Sequence, residues 1–546
     1  MDFEYLADLL FPDVTETPED MELKYPPRDL PEGAKVTRFA PSPTGFLHFG
    51  GLFPTRVGER LAHQSGGIFY LRIEDTDAKR EVEGAEESLI KTLSHYGIDF
   101  DEGATANGAE KGAYGPYRQS HRKNIYHVFA KELVRQGKAY PCFCTEEELI
   151  QIRQQQEQLK VDPGYYGKWA KYRDADISVI EPLIKEGKPF VLRFRSEGNV
   201  ENKIKFTDLV KGELELTEND KDHVILKSDG IPNYHFAHAV DDHLMRTTHV
   251  IRGEEWLPSL PFHIQLFKAL GFKLPKYLHI AQLMKMENGS KKKLSKRDAG
   301  ADVRYYDEIG YDPDCVIEYI MTLLNSNYEE WRTANKDKPY TDFPFSIKKM
   351  SNSGCLFDFD KLNDVTRNTV SLMSAEQVYG KLLQWAETYD KDFAGLLAAD
   401  PDYAKSILSI GRGGAKPRKD LCTWNTVKDY MGFFYDELFT PSDAYPENLD
   451  RSDIKAIIEE YTGIYDESDD QTAWFEKLKS LASRHGFAAD TKEYKKEPGK
   501  YKGHVGDIAM ILRIAVTGKQ VSPDTYQVMK ILGRDKVLSR LHNAKI

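Results

Sequence analysis

A short apolar run, Val36 to Ala40 (VTRFA), passes directly into the turn-rich Pro41-Ser42-Pro43-Thr44-Gly45, and a helical pattern takes over from about His48 to His63. Strand, glycine turn and helix in that order restrict the chain to few folds. A second apolar strand, Ile68 to Ile73, ends on the acidic cluster Glu74-Asp75-Thr76-Asp77. An amphipathic helix follows, with Ala85, Leu89, Ile90, Leu93 and Tyr96 at three- and four-residue spacing. Strands alternating with helices predict a parallel, doubly wound α/β sheet, with ligands outside the carboxyl ends of the strands.

At about Tyr140 the pattern changes to a Gln/Glu-rich helix (Glu146 to Leu159), a Tyr/Trp/Lys turn (Tyr165 to Tyr172) and alternating strands at Phe190 to Phe194 and Ile204 to Leu209, the mark of an inserted α+β unit. The α/β pattern resumes at Val224 and continues through His249 to Arg252 and a helix from Pro258 to Leu270. Residues 285 to 300 read as a lysine- and glycine-rich loop. Beyond it the chain is mainly helical (Asp314 to Leu324, Val378 to Tyr389, Val505 to Thr517), with polar, turn-rich interruptions at Asn325 to Asn352 and Asp466 to Lys502.

A chain of 546 residues exceeds one compact core, so three or four units are expected. Five scattered cysteines form no disulfide framework and point to a reducing compartment. The first 33 residues carry ten acidic and two basic side chains, unlike a secretory signal or an arginine-rich transit peptide, and no run approaches the roughly 20 apolar residues that cross a bilayer. A cytoplasmic protein without membrane attachment is expected. The net charge of -12 argues against an indiscriminate polyanion binder, so an RNA partner must meet local basic patches.

In the segment from Arg38 to Gly51, glycines let backbone approach a phosphate chain, and the helix start supplies unpaired N–H groups and positive potential. His48 adds a hydrogen-bond donor there. About 245 residues later, Lys293-Leu294-Ser295-Lys296-Arg297 offers two lysines that can meet the same polyphosphate from the other side. A capped turn and a solvated charge run explain each motif alone. The pair points to a nucleotide triphosphate.

The two motifs, HFGG (His48 to Gly51) and KLSKR (Lys293 to Arg297), resemble the signatures of the class I aminoacyl-tRNA synthetases. More narrowly, RFAPSPTG, RIEDTDAKR (Arg72 to Arg80), YHFAHAVDDHLM (Tyr234 to Met245), HVIRGEEWLPS (His249 to Ser259) and LRIAVTG (Leu512 to Gly518) are similar to the glutamyl-tRNA synthetases. The resemblance is close from residue 35 to about 325 and returns at 505 to 541. It implies a Rossmann-type catalytic domain in two halves (34–140 and 224–285) around an inserted α+β acceptor-end-binding domain (141–223). A KLSKR loop and stem-contact domain (286–365) and a helical anticodon-binding region (366–546) would follow, with residues 1–33 an acidic N-terminal extension.

The implied reaction is activation of L-glutamate by ATP, with Mg2+ escorting the nucleotide, and transfer to the terminal adenosine of tRNA by a monomer. By resemblance His48, Lys293 and Lys296 stabilise the transition state. Thr44, Gly45, Gly50, Gly51, Glu255, Trp256 and Ser295 join them around ATP. Arg38, Ala40, Ser42, Glu74, Tyr234, His238 and Arg252 hold glutamate, Arg38 by clamping the side-chain carboxylate. For single residues, plainer roles compete: Arg72 and Asp75 as a surface pair, Trp256 as core filler. His238 stands where the family usually has asparagine, and Pro54 is expected to bend the helix after HFGG.

Cys142 and Cys144 match two zinc ligands of some relatives, but Trp169 and Lys171 stand where the other two would be, so no zinc is predicted. Basic patches at Gly411 to Lys419 and Lys495 to Lys502 offer RNA contacts. Arg80, Arg412 and Arg418 are the expected tRNA-binding side chains, with Trp424 as a stacking surface. Ala40-Pro41-Ser42-Pro43 disfavours a glutaminyl enzyme, and the long C-terminal region disfavours a glutamyl-queuosine-type enzyme. Intact His48, Lys293 and Lys296 argue against a catalytically silent paralogue. Which tRNAs are charged, glutamate-accepting alone or glutamine-accepting as well, stays open at this stage.

Overall fold

The computed structural model describes residues 2–45, 47–77, 80, 82–294, 298, 300–352 and 354–546. The chain divides into two compact units, Met1–Val303 with Ile320–Asp358, and Arg304–Tyr319 with Phe359–Ile546.

In the first unit the acidic leader folds. Helices α1 (Phe3–Leu10) and α2 (Pro18–Lys24) start on caps: Asp2 accepts the Tyr5 N–H at 3.0 Å, and Thr17 and Asp20 form a reciprocal capping box with Pro18 in the first turn. Their apolar side chains Leu6, Met21 and Tyr25 are buried in a core shared with Tyr126 and Phe129.

Strand β1 (Val36–Phe39), helix α3 (Phe49–His63), strand β2 (Ile68–Leu71), helix α4 (Ala85–His95) and strand β3 (Glu102–Ala104) alternate as predicted. The three strands pair in parallel, Arg38 beside Tyr70 and Leu71 beside Gly103, and β4 (Glu110–Lys111) adds an antiparallel edge. α3 stays continuous through Pro54, which leaves the Gly50 carbonyl without its helical N–H.

Helix α5 (Lys123–Arg135) leads into the insert: β5 (Ala139–Cys142), α6 (Glu146–Gln158), α7 (Ile177–Lys185), β6 (Val191–Phe194), β7 (Lys203–Asp208), β8 (Gly212–Thr217) and β9 (Val224–Leu226). β9 was expected to rejoin the catalytic sheet. It pairs antiparallel with β6 instead, so the insert's sheet runs past residue 223. Three apolar residues in a row cannot tell one buried sheet from another.

The chain returns through α8 (Tyr234–Leu244), β10 (His249–Gly253), α9 (Leu260–Ala269) and β11 (Lys276–Ile280). β10 and β11 are parallel, and the Thr248 N–H donates to the Val36 carbonyl at 2.9 Å, which brings β10 beside β1. The sheet therefore grows from β1 in both directions. That reversal opens a crevice at the carboxyl ends of β1 and β10.

Residues 285–300, expected to be a loop, begin as an antiparallel hairpin of β12 (Leu283–Glu287) and β13 (Ser290–Lys293). Its turn is Asn288-Gly289, with φ of 52° and 76°, the left-handed pair that a two-residue hairpin turn requires. β14 (Cys355–Leu356) pairs in parallel with β12.

The second unit is helical. The stretch 466–502, expected to interrupt it, contains the helices Gln471–Arg484, capped by Asp470, and Thr491–Lys496. Trp424, Leu478 and Leu512 belong to one core. Trp424 is only 3% exposed, so it packs there and offers no stacking surface. Among the described residues no helix is long and apolar enough to cross a membrane.

Candidate active site

A cleft of about 440 Å³ opens between the start of α3, the ends of β10 and β11, and the end of β13. His48, Gly50 and Pro54 line one side. Gly253, Glu255 and Gln282 line another, and Lys293 the third. His48 caps α3: its Nδ1 accepts the Gly50 N–H at 2.9 Å, which puts the ring proton on Nε2. A Cβ at Gly50 would stand 2.9 Å from that Nδ1, and one at Gly253 would stand 2.1 Å from the Glu255 carboxylate. A side chain at either position would have to displace the His48 ring or the Glu255 carboxylate. Lys293 is the last residue of β13, exposed, and lines the cleft. Ser295, Lys296 and Arg297 lie outside the described residues.

Beside the cleft, α8 presents Tyr234, His238 and Asp242 at four-residue spacing on one face. Arg38, at the end of β1, is 6% exposed; its Nε stands 3.2 Å from both Asp242 oxygens. Arg72 is fully buried, with Nη1 2.6 Å from Asp242 and Nη2 3.1 Å from Glu74. It is therefore no surface partner of Asp75, which accepts from the Ser120 N–H and hydroxyl. Asp241 takes Arg122 Nε at 2.6 Å, the Tyr126 hydroxyl at 2.8 Å and Gln119 at 2.8 Å. Burial would raise the Asp242 carboxyl, but Arg38 and Arg72 outweigh it and hold it well below the usual carboxylate range.

Glu74 reaches the site because its N–H donates to the Pro41 carbonyl at 2.9 Å. Burial lifts its pKa to about 7 against the pull of Arg72 and Arg38. Ser42 and Thr44 lie exposed in the turn after Ala40, with the Thr44 N–H donating to the Ser42 carbonyl at 2.8 Å, and Gly45 completes it. Gly51 closes the turn at the helix start, its N–H donating to the His48 carbonyl at 2.7 Å.

His238 is held by protein groups on both ring nitrogens. It is wholly buried, with Nδ1 2.7 Å from Asp242 and Nε2 2.9 Å from the Tyr277 hydroxyl, and its ring is parallel to that of Tyr234. Burial drops its pKa to about 4, so it backs Tyr234 as a neutral ring. Trp256 packs on Tyr234, ring centroids 4.3 Å apart, with the Arg252 guanidinium 6.0 Å from its ring. Arg252, at the end of β10, is 6% exposed, and its Nη2 is buried with no hydrogen-bond partner.

The sequence did not flag Asp241, Asp242, His263 or His279. Two adjacent acids beside the apolar positions Phe236, Ala237, Ala239 and Val240 of α8 were the available signal, since buried carboxylates demand cationic partners.

Residues 35–364 match the family model for class I tRNA synthetases (E and Q), catalytic domain, and residues 416–545 match an anticodon binding domain. The glutamate–tRNA ligase of Acetivibrio thermocellus is 51% identical over 99% of both chains, and that of Clostridium perfringens is 50% identical over 99% of this chain and 100% of its own. The chain belongs to the glutamyl-tRNA synthetase family. The fold agrees with that of a family member from Elizabethkingia meningosepticum, a glutamate tRNA ligase solved in complex with its amino acid: TM-score 0.73 at 28% identity, over 93% of this chain and 99% of that one.

Other expected contacts fall elsewhere. Arg80 is exposed and paired with Asp77 at 2.6 Å. Cys142 and Cys144 both lie against the Tyr165 hydroxyl, at 3.3 and 3.5 Å, while Lys171 pairs with Glu148. In the second unit Arg418 pairs with Asp420. Arg412 spends its guanidinium on main-chain carbonyls, Leu408 at 2.8 Å and Val370 at 2.7 Å, which closes two helix ends. Arg412→Ala is therefore expected to lower the melting temperature while leaving the ratio of glutamate to glutamine tRNA charging unchanged. A changed ratio at unchanged stability would make Arg412 a base reader.

Proposed function

We propose that this site joins glutamate to ATP and passes it to tRNA, the chain being a glutamate–tRNA ligase. The observation that carries the assignment of the pocket is the pair of buried guanidiniums, Arg38 and Arg252, at the carboxyl ends of β1 and β10, beside a helix start capped by His48. Two arginines in one crevice suit an amino acid with two carboxylates. The helix start and Lys293 suit a polyphosphate.

In the proposed reaction a glutamate α-carboxylate oxygen attacks the α-phosphorus of ATP, which enters as its magnesium complex, and the bond to the leaving pyrophosphate breaks. His48 Nε2–H donates to the phosphates, and the positive end of the α3 dipole and Lys293, with Lys296 and Ser295, balance the negative charge that moves onto pyrophosphate. Glu255 borders the nucleotide at Gly253. A ribose hydroxyl of the tRNA terminal adenosine then attacks the acyl carbon and releases AMP. Arg38 takes the side-chain carboxylate, Arg252 and Tyr234 the other end of the amino acid, and Glu74 with Ser42 the α-ammonium. Glutamine would leave Arg38 facing a neutral amide. The insert is assigned to the acceptor end of tRNA, and the second unit, with Arg418, to the anticodon.

Glutamate-dependent ATP–pyrophosphate exchange in the presence of tRNA tests the pocket. Glutamate supports it and glutamine does not; equal exchange with both would remove Arg38 as the selector.

Glu74 gives the site a pH dependence. With its pKa near 7, its carboxylate protonates as pH falls, and an ammonium ligand binds only the ionised form. KM for glutamate is expected to be about tenfold higher at about pH 6 than at about pH 8, and Glu74→Gln to show a flat, high KM. A pH-independent KM in the parent enzyme would contradict this role.

A further inference from the structure

Arg252 hangs on a line of buried polar groups that ends in the insert. Its Nε lies 2.9 Å from His279 Nε2, and its Nη1 lies 3.1 Å from His263 Nδ1. Arginine has no acceptor atom, so both of those imidazole nitrogens must carry lone pairs. His279 must then bear its proton on Nδ1, which stands 2.7 Å from Asp208 Oδ2. His263 must bear its proton on Nε2, which points to His235 Nδ1 at 2.8 Å. Every proton in the row is placed by one fact, the donor-only character of Arg252.

The two histidines that hold Arg252 are buried and neutral. His263 and His279 are 0% exposed and Asp208 1%. Burial lowers the pKa of both histidines. Asp208 is the last residue of β7 and is itself fixed, with Oδ1 accepting the Val210 and Lys211 N–H groups at 2.9 and 2.8 Å. Burial would raise its carboxyl, but hydrogen bonds from His279 and from the Lys211 and Val210 amides hold it below the usual value.

We propose that Asp208 is a positioning residue for glutamate: by fixing the tautomer of His279 it holds the Arg252 guanidinium in register beside Tyr234, where the two side chains meet the substrate. The inference rests on Arg252 being a glutamate contact. It makes the insert's β7–β8 hairpin part of amino-acid selection, with the insert's seating on β11 read out at the guanidinium.

Asp208→Asn is nearly isosteric and separates the polarity of the row from its packing. The amide oxygen can keep the Val210 and Lys211 N–H bonds, which leaves the NH2 group facing His279 Nδ1 and also the His279 main-chain N–H, which stood 3.1 Å from the oxygen it replaces. His279 must then move its proton to Nε2, where two donors confront each other across 2.9 Å at Arg252. The full chain is assayed by tRNA-supported ATP–pyrophosphate exchange. The expected result is a rise in glutamate KM of about tenfold or more, with the ATP KM within twofold and a modest fall in the melting temperature from the buried donors left unpaired. Nitrogen-15 spectra of labelled histidine, with His279 assigned by its loss in His279→Gln, should show Nδ1 protonated in the parent and Nε2 protonated in Asp208→Asn.

Arg252→Lys tests the underlying reading separately. If it leaves the glutamate KM within twofold, Arg252 is not a substrate contact. If it raises KM while Asp208→Asn does not, the positioning role is overturned. Should Asp208→Asn fail to fold, the parent spectrum still decides: a proton on His279 Nε2 would overturn the proposal.

Discussion

Replacing His48 with alanine is expected to slow glutamate-dependent ATP–pyrophosphate exchange by about 10²–10³-fold, the effect of deleting one fixed donor from a site where charge develops. The fixed element is the ring itself: Nδ1 is held by the Gly50 N–H, so the Nε2 proton has one direction. Because His48 is also the N-cap of α3, alanine removes about 1 kcal/mol of capping as well. His48→Asn separates the two effects. Asparagine caps helices well but has no second nitrogen at the imidazole's reach, so stability should hold while the rate stays low. Recovery of the rate in His48→Asn would mean that the histidine acts only through the helix.

The largest stability effect is expected from Asp242→Ala. One carboxylate, 1% exposed, faces Arg38 at 3.2 Å, Arg72 at 2.6 Å and His238 at 2.7 Å. Removing it leaves two guanidiniums buried without that counterion, and breaking such a pair costs about 3–5 kcal/mol. Urea unfolding of the full chain should show the transition of the catalytic unit moved to lower denaturant by that amount, with that of the helical unit unmoved. Because Arg38 loses its anchor, glutamate binding should fail in whatever fraction stays folded. A loss under about 1 kcal/mol would show that the arginines find other partners.

Much of this architecture was legible before any coordinates. Capped helices with strong periodicity, such as Glu146–Gln158 and Val505–Thr517, fell within a residue or two of expectation, because local propensity and burial agree there. The turn between β1 and α3 and its histidine cap were legible for the same reason, being local. What failed was non-local. Val224–Leu226 carries nothing that names its partner strand. The Asn288-Gly289 hairpin hid inside a lysine run that reads as solvated charge, although Asn-Gly is itself a hairpin signal. His238 was read from a resemblance as a ligand contact, and only the packing of Tyr277 and Asp242 around it shows a ring turned inward. Arg412 looked like an RNA reader because a basic, glycine-bearing loop is what such readers use. The end of the preceding helix, at Leu408, and a distant helix, at Val370, claim its guanidinium.

The central claim is that two buried arginines select an amino acid with two carboxylates and that the neighbouring helix start activates it with ATP. The most direct test follows labelled amino acid onto tRNA together with AMP release by the full chain, with glutamate and glutamine in parallel. Glutamate should appear on tRNA in one-to-one ratio with AMP, and glutamine should not; Arg38→Ala should abolish the glutamate signal. Charging with glutamine at a comparable rate, or full charging by Arg38→Ala, would contradict the account.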